Sequence, residues 1–145
     1  MAIYEFNDHG DLPPKVYSVS IGEALDHFGQ STLQRRAVGL RLERTFAMAK
    51  ASGHLKRFIV FESFVTSKLE PNDVDIFIIM DDDFDVTKVE PTSAILFDHS
   101  SAQSLLGASV FWVRSMAALG GEQEAIDDWM ITREGRIRGI LEITA

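Results

Sequence analysis

Phe58-Ile-Val-Phe-Glu-Ser-Phe-Val-Thr-Ser-Lys-Leu-Glu-Pro-Asn-Asp-Val-Asp-Ile-Phe-Ile-Ile-Met80 reads as two apolar strands joined by a polar loop, and this stretch decides the fold. Side chains alternate faces along a strand, so Asp73 and Asp75 share a face with Phe77 and Ile79, while Val74, Ile76, Ile78 and Met80 take the other. Two like charges so close repel unless a cation lies between them. Hard carboxylate oxygens suit magnesium or manganese, and magnesium takes one or two protein carboxylates and completes its shell with phosphate oxygens and water. The pattern points to a nucleotide and metal site with Asp73 and Asp75 as the ligands.

Outward from that stretch, the remaining elements follow from periodicity and punctuation. The runs at 57 to 62 and 73 to 80 have few polar interruptions, as central strands covered on both faces do. Before them, the capping box Ser20-x-x-Glu23 opens a short helix that Gly29 stops. A second box, Ser31-x-x-Gln34, opens a longer helix, 32 to 52, ended by Gly53. On it Leu33, Ala37, Leu40, Ala47 and Met48 form an apolar stripe, with Val38, Leu42, Phe46 and Ala49 beside it, which predicts packing against the sheet. Residues Asn7 to Pro14 are dense in turn formers and read as an extended N-terminal arm. After the strands, Pro91-Thr92-Ser93 starts a helix over Ala94 to Leu106 that Gly107 closes. Ala108 to Arg114 is a third strand, Glu122 to Thr132 a helix, and Arg136 to Thr144 a last strand. The expected fold is α+β: a single domain, 1–145, built on a small mixed β-sheet with helices packed on it.

The order strand, Ser63, intervening positions 64 to 72, Asp73-x-Asp75 and an apolar run resembles the signature of the DNA polymerase β-like nucleotidyltransferase superfamily. Within it, Ser63-Phe-Val-Thr-Ser-Lys-Leu-Glu-Pro-Asn-Asp-Val-Asp75 is similar to a group of small bacterial predicted nucleotidyltransferases. The likeness runs from Gly10-Asp-Leu-Pro-Pro14 to Arg138-Gly-Ile-Leu-Glu142. It implies a minimal nucleotidyltransferase-like fold that moves a nucleoside monophosphate from a nucleoside triphosphate to a hydroxyl of RNA, protein or a small molecule. Asp73 and Asp75 would be the catalytic, magnesium- or manganese-holding pair, with Ser63 orienting phosphates. Thr66 and Lys68, in the loop between the strands, offer a hydroxyl and an ammonium to the same phosphates.

Two positions depart from the superfamily's pattern. Glu62 stands where a glycine lets backbone amides approach the triphosphate, and a carboxylate there repels phosphate. The strand Ala108 to Arg114, where a third acid belongs, contains none. Two readings follow. In one, the chain is a catalytically degenerate module acting with a partner protein in a two-gene system, either a toxin-antitoxin or a phage-defence pair. In the other, Glu62 itself supplies the third metal carboxylate.

Composition bounds the rest. With 46% hydrophobic and 25% charged residues the chain is an ordinary globular one, and with no cysteine it has neither disulfides nor thiolate metal sites. No apolar run approaches a membrane span, and the amino terminus, with Glu5, Asp8 and Asp11, lacks the basic region of a signal peptide; a cytoplasmic protein with no membrane partner is expected. A net charge of -8 argues against general nucleic-acid binding. Yet residues 31 to 57 carry Arg35, Arg36, Arg41, Arg44, Lys50, Lys56 and Arg57 against Glu43 alone, followed by the strongly acidic stretch 62 to 98. The basic helix either complements that stretch internally or receives a polyanion or an acidic partner.

Other motifs carry little. Asp81-Asp-Asp-Phe-Asp85 begins like a calcium loop but has Val86 and Thr92 where glycine and glutamate are needed. Asp98-His99-Ser100-Ser101 has triad residue types without a nucleophile elbow. The histidines at 9, 27, 54 and 99 lack zinc spacing. Trp112 and Trp129, with Phe111 and Met130, read as core or interface rather than as base-stacking platforms.

Overall fold

A computed structural model describes residues 5–144; residues 1–4 and 145 lie outside that description. The strands are β1 (Val16–Ser20), β2 (Leu55–Phe61), β3 (Val74–Met80), β4 (Ala108–Arg114) and β5 (Ile140–Thr144), and the helices are α1 (Ile21–Phe28), α2 (Leu33–Ala51), α3 (Pro91–Ala94), α4 (His99–Ser101) and α5 (Glu122–Asp128). One mixed sheet takes all five strands in the order β1-β5-β2-β3-β4. Its outer pairs, β1 with β5 and β3 with β4, are parallel, and the inner pairs antiparallel. The fold is α+β, and β2 and β3 are neighbours at the centre, with Val60 opposite Ile76 and Phe61 opposite Asp75.

Both faces of these strands are covered, which explains their near-continuous apolar sequence. On one side Phe58, Val60, Ile76 and Ile78 pack with Val38, Leu42 and Phe46 of α2 in the main core. On the other, Ile59, Phe61, Phe77 and Ile79 meet Ile126 of α5. Each such side chain, fully buried, contributes about 1.5–3 kcal/mol of transfer free energy. Alternation along β3 thus divides the chain into two cores and directs Asp75 to the α5 side.

The Ser20–Glu23 box forms in full, Glu23 N donating to Ser20 Oγ at 3.1 Å and Ser20 N to Glu23 Oε1 at 3.0 Å. The second helix departs from expectation in two ways. Its cap is Thr32, not Ser31: the Thr32 hydroxyl accepts from Arg35 N and also donates to the Leu69 carbonyl, a tertiary bond that selects it. Its packed stripe is the neighbouring one, Val38, Leu42, Phe46 and Ala49, while Leu33 and Leu40 are 81% and 66% exposed. The reason is Arg35, which lies on the buried face and binds backbone carbonyls of the loop after β2.

Three further differences lie at the edges. β1 was hidden behind a turn-rich arm, whose Leu12 is itself buried. The single helix expected over Ala94 to Leu106 is broken at Asp98, whose extended backbone (φ -112°, ψ 113°) and carboxylate, accepting from Ser101 N at 3.0 Å, start a new helix instead. Gly107 does close it at φ +65°, where an added Cβ would sit 2.7 Å from Arg41 Cδ. Finally, α5 ends at Asp128 rather than Thr132, and the last strand begins at Ile140 rather than Arg136; between them an Ile131–Ile137 bridge closes a hairpin. Among the described residues no helix is long and apolar enough to cross a membrane.

Candidate functional site

Asp73 immediately precedes β3 and Asp75 lies within it. The register sets Asp75 between Phe61 of β2 and Ser109 of β4. Ser109 shares the face of Asp75, because Ser109, Phe111 and Val113 alternate with the residues of the main core. Its hydroxyl donates to Asp73 Oδ2 at 3.0 Å. The acid-free strand therefore offers a hydroxyl beside the carboxylate pair.

Asp75 opens onto a cavity of about 610 Å³. Phe61, Phe111 and Trp129 form its aromatic wall, and Arg133, Arg136 and Arg138, from the hairpin and the approach to β5, form a cationic one. Burial, the neighbouring Asp73 and then Glu62 push the Asp75 carboxyl up to about 7, against the pull of Arg138 and Arg133. A carboxylic acid that resists ionisation near neutrality, facing arginines, favours a bound cation or the loss of its neighbours' negative charge.

Glu62 also lines this cavity. It is the sole non-glycine residue with positive φ, 65°, among those described, so the backbone keeps a conformation suited to glycine where the sequence has glutamate. Its Oε2 lies 2.5 Å from Arg138 Nη2. Arg138 reaches on to Asp11 Oδ1 at 3.3 Å, and Arg136 Nη2 meets Asp11 Oδ2 at 3.2 Å. Buried Asp11 thereby ties the arm to the cationic wall. Asp11 and the three arginines are not among the sequence candidates, although Arg133, Arg136 and Arg138 within six positions are a visible signal.

The remaining sequence candidates lie elsewhere. The Thr66 hydroxyl is committed, donating to the Ser63 carbonyl at 2.7 Å and accepting from Lys68 N at 3.2 Å. Lys68 is exposed, and Ser63, Thr66 and Lys68 do not line the cavity with Asp75. Arg35 holds their loop, donating to the carbonyls of Phe28 (3.0 Å), Phe64 (2.7 Å), Thr66 (2.6 Å) and Lys68 (2.9 Å). Other cations of the basic segment also have local partners: Arg57 binds Glu142, Lys56 binds Glu122, and Arg41 donates to the Asn72 carbonyl. Among the described residues no three or more His, Asp or Glu side chains group as a metal cage. Asp73 and Asp75 could offer two hard oxygen ligands, and Glu62 is engaged by Arg138.

Residues 4–144 match the model of a family described as "Family of unknown function (DUF6932)". No curated protein and no solved structure matches the chain.

Proposed function

The chain belongs to that family, and we propose that it is a nucleotidyltransferase-like protein whose cavity takes the phosphates of a nucleoside triphosphate together with a divalent cation. One observation carries this reading: Asp75, its carboxyl raised by the neighbouring Asp73, and a wall of three arginines line the same cavity. Arginine's planar fork suits phosphate oxygens, and paired carboxylates suit magnesium or manganese. Asp73 and Asp75 would hold the cation, with Ser109 orienting Asp73. When bound, the cation neutralises charge on the acid pair and on phosphate oxygens. Arg133 and Arg136 would hold the phosphates and Phe61, Phe111 and Trp129 exclude water from one side. Ser63 and Lys68 would take part only if their loop moved. In the active form, a hydroxyl oxygen of RNA, protein or a small molecule would bond to the α-phosphorus as its proton passes to solvent, the bond to the bridging oxygen would break, and pyrophosphate would leave. The cytoplasm, which holds nucleoside triphosphates and magnesium, is the compartment this reading requires.

A second reading is favoured by the Glu62–Arg138 ion pair and by Ser109 standing where a third carboxylate is missing. The chain would then bind the nucleotide without transferring it, as a degenerate module in a toxin-antitoxin or phage-defence pair. Incubation with α-labelled nucleoside triphosphates, magnesium and total RNA or protein separates the two. Label transfer lost in Asp75→Asn supports the enzyme; cation-dependent binding without transfer supports the module; absence of both refutes the site.

A further inference from the structure

The aromatic wall of the cavity continues beyond it. An apolar groove of about 390 Å³ lies along β4, at the sheet's edge, and shares Phe111 and Trp129 with the arginine-lined cavity. Trp129 is the C-cap of α5, its backbone N–H donating to the Ile126 carbonyl at 3.0 Å. Its ring centroid is 4.5 Å from Phe61, 5.2 Å from Phe77 and 5.1 Å from Phe111, at interplanar angles of 39°, 35° and 35°. His99 adds a ring 4.8 Å from Phe111 at 34°. These rings lie closer to parallel than to perpendicular, and Phe111 is 39% exposed.

From sequence, both tryptophans are expected in the core or at an interface. Trp112 fits that: its Nε1 donates to the Phe97 carbonyl at 2.9 Å, and its ring packs edge-on to Phe84 and Phe97. Phe111 and Trp129 face the other way, between groove and cavity. We propose that the groove seats the planar heterocycle of the ligand whose phosphates the arginines hold, with Phe111 and Trp129 as the stacking surface. This rests on the phosphate reading of the adjoining cavity. The occupant follows from continuity: two shared side chains join a cationic pocket to an aromatic one, which matches a molecule anionic at one end and flat at the other, a nucleotide. Stacking on π-faces tolerates any base, and on the order of tenfold in affinity per stacked base is expected.

The test compares ATP with inorganic tripolyphosphate, each with manganese, on wild type, Phe111→Ala and Phe111→Tyr, with thermal melts to confirm folding. Wild type should bind ATP on the order of tenfold more tightly than tripolyphosphate. Phe111→Ala should weaken ATP on the order of tenfold more than it weakens tripolyphosphate, removing most of that preference, and Phe111→Tyr should restore it. Equal binding of both ligands by wild type, an unchanged preference in Phe111→Ala, or equal weakening of both ligands overturns the stacking site and leaves the phosphate site standing. Failure of wild type to bind either ligand overturns both.

Discussion

The Glu62 carboxylate meets Arg138 at 2.5 Å from a left-handed backbone position, φ 65°, that glycine would occupy without strain. The ion pair therefore persists against a local conformational cost of roughly 1–2 kcal/mol. Because the Glu62 side chain is 42% exposed, the pair returns only about 0.2–1 kcal/mol. Arg138 keeps Asp11 as a second partner when Glu62 is removed.

Glu62→Gly should accordingly melt no lower than wild type, and up to about 1 kcal/mol higher on denaturant titration. In the same variant a repulsive carboxylate is removed and Arg138, though still held by Asp11, loses its Glu62 partner, so nucleotide affinity should rise on the order of tenfold after screening. Weaker metal binding would instead make Glu62 a ligand.

Asp75 gives stability a pH dependence whose sign is fixed. Its folded value, about 7, lies above the ordinary 3.8, so the folded state holds the proton more tightly; that contribution is complete below about pH 4 and is lost as pH rises to about 7. Asp75→Asn removes the charge and keeps the shape. It should match wild type below about pH 4 and exceed it by roughly 1–2 kcal/mol at pH 8, the full shift being discounted for partial exposure. Melting curves without added metal read this directly, and a gap that does not widen with pH would contradict it.

Arg35 should be far more costly to replace than its neighbours on α2. It is 4% exposed and donates to several buried carbonyls, and hydrogen bonds from a charged donor contribute about 1.5–3 kcal/mol each. Arg35→Lys loses the fork geometry and should cost more than about 3 kcal/mol in urea unfolding, whereas Arg44→Lys, at an exposed position, should stay within about 0.5 kcal/mol. Tolerance of Arg35→Lys would remove the anchoring role.

These residues also mark what the sequence could carry. Strict alternation made the faces of β3 legible, including the pairing of Asp73 and Asp75 with Phe77, and the Ser20–Glu23 box was legible because both partners are local. Arg35 was not, because its acceptors are main-chain carbonyls, mostly some thirty residues away, that composition cannot reveal; the same bonds turned α2 onto its second apolar stripe. β1 escaped because its parallel partner, β5, comes at the far end of the chain. The arginine wall escaped for a related reason: its hairpin lies where helix and strand were each extended too far, and only the fold brings Arg133, Arg136 and Arg138 opposite Asp75.

The sign of one affinity change tests the central claim most directly. If the acid pair and the arginines act on one ligand through a shared cation, calorimetric titration of manganese with ATP should give weaker binding in Asp75→Asn and Asp73→Asn than in wild type, by at least tenfold. If the carboxylates merely stand near the phosphates, removing a negative charge must leave binding unchanged or strengthen it, and either result would contradict the account.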